Sequence, residues 1–173
     1  MIGGSRRTTK ALLVVVTALV LLAAAAAVNV VPSAAQEPPA PIASEPLTAR
    51  SVFTDEIDLK LRIKTHEGTV VVNVDDPSRT VVLKYTVQPG ARFPWHSHAG
   101  PVVVNIVSGA LTYVSAHTCS EKTYSPGEAF VDPGQGHVHS AYNPGTQPTV
   151  FIATFFDAPA EGSLLIPAAP ANC

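Results

Sequence analysis

Two His-x-His pairs are the feature of this 173-residue chain whose residue types and spacing are best suited to chemistry. They are His96 with His98 and His137 with His139. Because successive strand residues point to opposite faces, His-x-His puts both imidazoles on one face. Neutral imidazole is the commonest metal ligand in proteins, so pairs on neighbouring strands could converge on one divalent ion. Histidines that are simply hydrogen-bonded, with no ion, are the alternative.

Strand-forming patterns must position these pairs. Apolar residues alternate with charged ones from Ile57 to Ile63, which is typical of a strand with one buried face. Short apolar and β-branched segments follow, separated by Gly, Pro, Asn or Ser. No segment after residue 50 has a helical period, so we predict an all-β antiparallel sandwich or barrel. Further strands are predicted over residues 69–74, 80–87, 102–107, 110–115, 128–132, 137–142 and 149–156.

The spacing around the histidines resembles the two motifs of the cupin family. The first motif is Gly, five residues, His-x-His, three or four residues, Glu, six residues, Gly. Here it reads Gly90, His96, His98, Val102 and Gly109, with every spacing kept and valine in place of glutamate. The second motif is Gly, five residues, Pro-x-Gly, two residues, His, three residues, Asn. Here it reads Gly127, Pro133, Gly136, His139 and Asn143, with one extra residue between proline and glycine.

This resemblance implies a double-stranded β-helix, the cupin jelly-roll barrel, with a metal ion in its mouth. Carried over by position, His96, His98 and His139 are the metal ligands, and Val102 cannot ligate. Three neutral imidazoles leave a divalent ion its full charge, which favours an anionic fourth ligand or substrate. The resemblance leaves the metal open among Fe, Mn, Zn, Ni and Cu. His137 is expected to be a fourth ligand, a residue that hydrogen-bonds to a ligand, or a general base.

Three functions stay open at this point. The first is a metal-dependent enzyme acting on a small anionic molecule, and the second is a non-catalytic module that binds a metal or small ligand. The third is a metal-free structural barrel, since many cupins lack the ion. A nucleic-acid partner is not indicated, because the formal net charge is -2 and no long basic run occurs. Cupins often dimerise through strand edges, which leaves a homodimer open.

Residues 1–35 are typical of an export signal. Arg6, Arg7 and Lys10 precede an almost purely apolar stretch, and small residues before Gln36 suit a signal peptidase. We expect cleavage there and an exported protein, secreted or held in the cell envelope. The alternative is an uncleaved membrane anchor, because the apolar stretch is about long enough to span a bilayer.

The rest of the chain divides by composition into a Pro/Ala-rich linker over 36–50, a cupin domain over 51–157 and a C-terminal tail over 158–173. The two cysteines, Cys119 and Cys173, lie in a connecting loop and at the end of the tail. An oxidising compartment favours a disulfide between them. Two unpaired thiols, or a bond from Cys173 to another molecule, are the alternatives.

Overall fold

The computed structural model describes residues 41–65 and 68–173, and these residues form strands and connecting turns with no helix. None of them belongs to a helix long and apolar enough to cross a membrane. The predicted signal peptide and the first residues of the predicted linker lie outside the described part. In chain order the strands are β1 (Ile42–Pro46), β2 (Ser51–Val52), β3 (Asp58–Thr65), β4 (Gly68–Asp75), β5 (Arg79–Val87), β6 (His96–Ser97), β7 (Val102–Ser108), β8 (Leu111–Ser115), β9 (Glu121–Tyr124), β10 (Ala129–Asp132), β11 (His139–Tyr142), β12 (Thr149–Phe156) and β13 (Ile166–Pro167).

Two antiparallel sheets make up the barrel. The larger has the order β1-β5-β12-β7-β10, with β2 also paired to β5, and the smaller has the order β13-β6-β11-β8-β9. Apart from β8 and β9, neighbouring strands within each sheet are far apart in sequence, as in a jelly roll, where the chain crosses repeatedly between the sheets. The all-β jelly-roll prediction is therefore confirmed.

Period-two alternation in the central strands builds the core. In β5 and β12, alternate side chains are buried, because one face of each strand points into the barrel. Three aromatic rings pack together there: Tyr85 stacks on Phe151 with centroids 5.0 Å apart, and Phe93 meets Tyr85 edge-on at 5.8 Å. This aromatic cluster forms the floor of the cavity that holds the histidines.

Strands β3 and β4 form a separate hairpin. Leu59, Leu61 and Ile63 lie opposite Val74, Val72 and Val70, so one face of the hairpin is apolar. Val72 and Val74 are buried, which shows that this face packs on the protein. The alternation of apolar and charged residues that begins at Ile57 thus corresponds to β3, a strand with one covered face.

Two segments predicted to be peripheral belong to the sheets. Part of the expected linker is β1, which pairs along the edge of β5, and part of the expected tail is β13, which pairs with β6. Both contain proline, which suits an edge strand because only one side of the strand donates hydrogen bonds. Composition predicted loops here because proline is common in both.

A disulfide joins Cys119 to Cys173, with the two Cα atoms 5.4 Å apart, and fixes the end of the tail.

Candidate metal centre

Three buried imidazoles meet in a cavity lined by residues of both sheets. His96 in β6 lies directly opposite His139 in β11, because these two strands pair at that position. His98 follows β6 by one residue and turns to the same side. The ring centroids are 4.2 Å apart for His96 and His139, 4.8 Å for His96 and His98, and 5.2 Å for His98 and His139.

Hydrogen bonds fix the tautomer of each ring. The Nδ1 atom of His96 lies 2.7 Å from the carbonyl of Pro94, and that of His98 lies 2.8 Å from the carbonyl of Leu164. A carbonyl oxygen only accepts, so each Nδ1 must carry the proton. The Nδ1 atom of His139 faces the carboxylate of Asp132 at 3.1 Å. An ionised carboxylate also only accepts, so with Asp132 ionised all three Nε2 atoms keep a free lone pair, which is the state a metal ligand needs.

Burial keeps these imidazoles neutral. Desolvation lowers the pKa of His98 to about 4 and that of His139 to about 3, and it also lowers the pKa of His96. Neutral imidazole binds metal without first releasing a proton. The cluster is thus in its ligand form throughout the neutral pH range.

The donor set fits a divalent transition-metal ion. One ring nitrogen from each of His96, His98 and His139 lies within 4.8 Å of the others. Metal–imidazole bonds of about 2.0–2.1 Å hold such nitrogens within about 4.2 Å of one another, so small side-chain rotations close the site. The surrounding cavity has a volume of about 40 Å³, room for an ion with one or two small ligands.

Val102 and Asp132 face this cavity together. Val102 is buried in β7 and lines the cavity, so the position that the resemblance assigns to a carboxylate does point inward. Asp132, its cross-strand partner in β10, also lines the cavity and is 1% exposed. Sequence reasoning missed Asp132, since nothing in the spacing of the second motif marks the residue before its proline.

His137 does not join the three buried histidines. It is exposed, and it lies in the turn that precedes β11, where its N–H donates to the carbonyl of Gly134. The same-face expectation for His137 and His139 fails because strand alternation does not extend into a turn. The carbonyl oxygen of His137 lies 3.5 Å from Nδ1 of His139.

The turn between β10 and β11 ties the two motifs together. It contains the extra residue of the second motif, and the N–H of Gln135 donates to the carbonyl of His98 at 2.8 Å. Gly134 has φ +63° and packs against the backbone of Gly100, where an added Cβ would lie 2.0 Å from the carbonyl oxygen. The insertion therefore needs glycine, and it holds His98 and Asp132 in fixed relation.

A larger groove adjoins the histidine cavity. It has a volume of about 1010 Å³ and lies between the hairpin and strands β8 to β10. Tyr113 and Phe130 line both the groove and the cavity, so the two spaces adjoin at these side chains. The described groove residues include two lysines and two histidines and no carboxylate: Lys64, Lys122, His117 and His137.

A comparison with protein families decides the family. Residues 83–155 match the family model described as Cupin domain. The chain contains a domain of the cupin superfamily. The matched span contains both histidine motifs and strands from both sheets of this cupin. No match to a curated protein was found.

Several solved structures resemble this cupin. The polyketide cyclase RemF from Streptomyces resistomycificus is 19% identical over 54% of this chain and 63% of that chain, with a TM-score of 0.45. KdgF from Halomonas sp. is 16% identical over 72% and 87%, with a TM-score of 0.47. A putative sugar phosphate isomerase from Acidithiobacillus ferrooxidans is 22% identical over 43% and 48%, with a TM-score of 0.39. The cupin thus spans less than two thirds of the length of RemF.

Proposed function

We propose that this cupin binds one divalent metal ion through His96, His98 and His139. The observation that carries the proposal is the tautomer arrangement: three buried neutral rings have Nδ1 engaged and Nε2 lone pairs available in one small cavity. A purely structural histidine cluster has no need for three convergent lone pairs. Three imidazoles suit zinc, copper, iron and nickel better than magnesium or calcium, while manganese accepts mixed sets.

The ion is proposed to take a small anionic molecule as a further ligand. Neutral imidazoles leave its positive charge intact, and an anion is the natural partner for that charge. The 40 Å³ cavity admits only the ligating group, while the adjoining groove of about 1010 Å³ holds the body of the molecule. Lysine and histidine side chains with no carboxylate among the described groove residues suit an anion.

Metal analysis of the purified protein tests the metal site. Elemental analysis after dialysis should find about one transition-metal ion per chain, and His98→Ala should abolish this stoichiometric binding because it removes one of three ligands. His117→Ala is the matched control, since His117 is exposed and outside the cluster. Metal that remains at one ion per chain in His98→Ala would overturn the assignment.

A metal-dependent enzyme is the second candidate function. It is favoured by the groove, which is large enough for a substrate and shares the side chains of Tyr113 and Phe130 with the histidine cavity. A screen of small carboxylic and phosphoric acids with the metal-loaded protein should then find a turnover that His98→Ala abolishes. Binding of such acids without turnover supports the non-catalytic module.

Export is proposed on two grounds. The first 35 residues have the composition of a signal peptide, and the Cys119–Cys173 disulfide suits an oxidising compartment. N-terminal sequencing of protein taken from the culture medium or cell envelope should begin at Gln36. A mature chain that begins at Met1 in the cytoplasm would contradict the proposal.

A further inference from the structure

In this protein β7 lacks the carboxylate of the cupin motif, and a carboxylate lies on the neighbouring strand β10 instead. Strand β7 carries Val102 where the family motif has glutamate, and β10 pairs with β7 so that Asp132 lies directly opposite Val102. Cross-strand partners project from the same face of a sheet. Both side chains accordingly line the histidine cavity, one apolar and one acidic.

Asp132 makes contacts with both the backbone and the side chains around it. Its Oδ1 accepts a hydrogen bond from the N–H of Gly134 at 2.9 Å, which shapes the local turn. Its Oδ2 accepts from the hydroxyl of Tyr113 at 2.9 Å and faces Nδ1 of His139 at 3.1 Å. The ring of Tyr113 also stacks on His139, with centroids 4.9 Å apart and planes 15° apart.

The cost of burying a carboxylate makes this arrangement informative. Asp132 is 1% exposed, and an isolated buried charge is strongly unfavourable unless it is paired or hydrogen-bonded. The turn needs one acceptor oxygen, which asparagine or serine could supply without charge. The second oxygen is directed at the imidazole of His139, on which a negative charge can act.

We infer that Asp132 is the carboxylate of this metal centre, acting as a positioning residue through Nδ1 of His139 rather than as a ligand. This inference rests on the proposed metal site. The carboxylate holds His139 in the tautomer whose Nε2 has a free lone pair. It also raises the basicity of the imidazole, which makes Nε2 a stronger metal ligand. Because the carboxylate stands behind a histidine, the coordination position that glutamate occupies in the family motif is left open for an external ligand.

The tautomer of His139 can be measured without any substitution. In metal-free protein at pH 7, ¹⁵N–¹H correlation spectra should show His139 protonated on Nδ1, with that proton protected from solvent exchange. A His139 protonated on Nε2 would overturn the inference, whatever the protein's affinity for metal.

Zn²⁺ affinity then tests the role of the charge. Loss of a partner behind a metal-bound histidine typically weakens binding about 10–100-fold, so Asp132→Asn should lower Zn²⁺ affinity by that factor in competition with a fluorescent chelator. Asp75→Asn removes the same charge from an exposed position of the hairpin, and it should leave affinity unchanged. Equal affinity in wild type and Asp132→Asn overturns the inference and leaves the proposed metal site standing, whereas no Zn²⁺ binding by wild type overturns the metal site itself.

A rescue variant separates a role at the metal from a role in folding. Val102→Glu combined with Asp132→Asn moves the carboxylate back to the family position on the opposite strand. Affinity for Zn²⁺ should recover to within about tenfold of wild type, and the Co²⁺-loaded double variant should show an altered visible spectrum because an oxygen ligand has been added. If the double variant binds no better than Asp132→Asn, the charge of Asp132 is not what the site requires.

Discussion

Burial is the dominant influence on the chemistry of individual residues in this site. His96, His98 and His139 are each between 4% and 6% exposed, and each has a fixed acceptor on Nδ1. Desolvation alone would leave neutral rings of either tautomer, while the acceptors select one. The two effects together turn three ordinary histidines into a preformed set of nitrogen donors.

The same burial predicts an acid-sensitive fold in the absence of metal. A histidine whose pKa is lowered on folding binds more protons in the unfolded state, so stability falls as pH drops below 6.5 and continues to fall to the folded-state pKa. For His98, whose pKa is about 4, the loss across this range is about 3 kcal/mol. Burial raises the pKa of Asp132, which acts in the opposite direction and reduces the total loss.

Thermal unfolding in a chelator should therefore show a midpoint that falls steadily from pH 7 to pH 4. His98→Gln should flatten this slope because it removes one titrating group. His117→Gln, at an exposed position, is the control and should keep the wild-type slope. A midpoint that does not change with pH would show that the buried imidazoles do not resist protonation.

At the scale of elements, the sequence predicted the strands that alternate and missed the ones that do not. The runs that became β3, β4, β5, β7 and β12 were visible because they are rich in apolar and β-branched residues, and in β5 and β12 every second side chain is buried. Strands β6 and β13 have two residues each, too few for any period. Motif spacing still indicated which histidines converge, because it reflects the turn geometry that brings β6 beside β11.

The tail is the element whose role could not be read from composition. Its Leu164 carbonyl accepts from His98, its Leu165 lines the histidine cavity, and its β13 pairs with β6. A Pro/Ala-rich segment carries no pattern that predicts a backbone carbonyl as a partner for a buried imidazole. The candidate metal site is thus completed by a carbonyl 66 positions after His98 in the chain.

Opening the disulfide should loosen this tail and disturb His98. Cys119→Ser with Cys173→Ser removes a link between residues 54 apart, which costs at most about 4 kcal/mol of folding free energy. The N–H of Ala168, which donates to the carbonyl of Trp95, should exchange faster with solvent. Zn²⁺ affinity should fall by less than in His98→Ala, because the ligand remains and only its carbonyl partner becomes mobile.

Wild-type protein treated with a reductant is the second form of this test and should behave like the double variant. Non-reducing mass spectrometry, which should find a mass two hydrogens below that of the reduced chain, reports the state of the bond in each sample. Unchanged exchange at Ala168 after reduction would show that β13 holds the tail without the disulfide.

At the scale of the whole molecule, the groove between the barrel and the hairpin is positively charged although the chain as a whole is negatively charged. The formal net charge is -2, yet Lys64 on the hairpin and Lys122 on β9 line the same groove, which contains no described carboxylate. The apolar face of the hairpin supplies Ile63 and Val70 to the groove wall. Neither cationic residue belongs to a motif, and only the folded hairpin brings them together, so sequence analysis found no reason to connect them.

This groove should capture an amphipathic anion. The dye 8-anilinonaphthalene-1-sulfonate combines an apolar ring system with a sulfonate, and its fluorescence should rise on binding and weaken as salt screens the lysines. Reversing two exposed charges changes the binding free energy by about 1–2 kcal/mol, so Lys64→Glu with Lys122→Glu should lower dye affinity roughly tenfold. Lys60→Glu is the matched control, because Lys60 lies on the same strand but does not line the groove. An equal loss in the control would mean that the dye responds to overall charge, and it would count against the groove as the entry site for an anionic ligand.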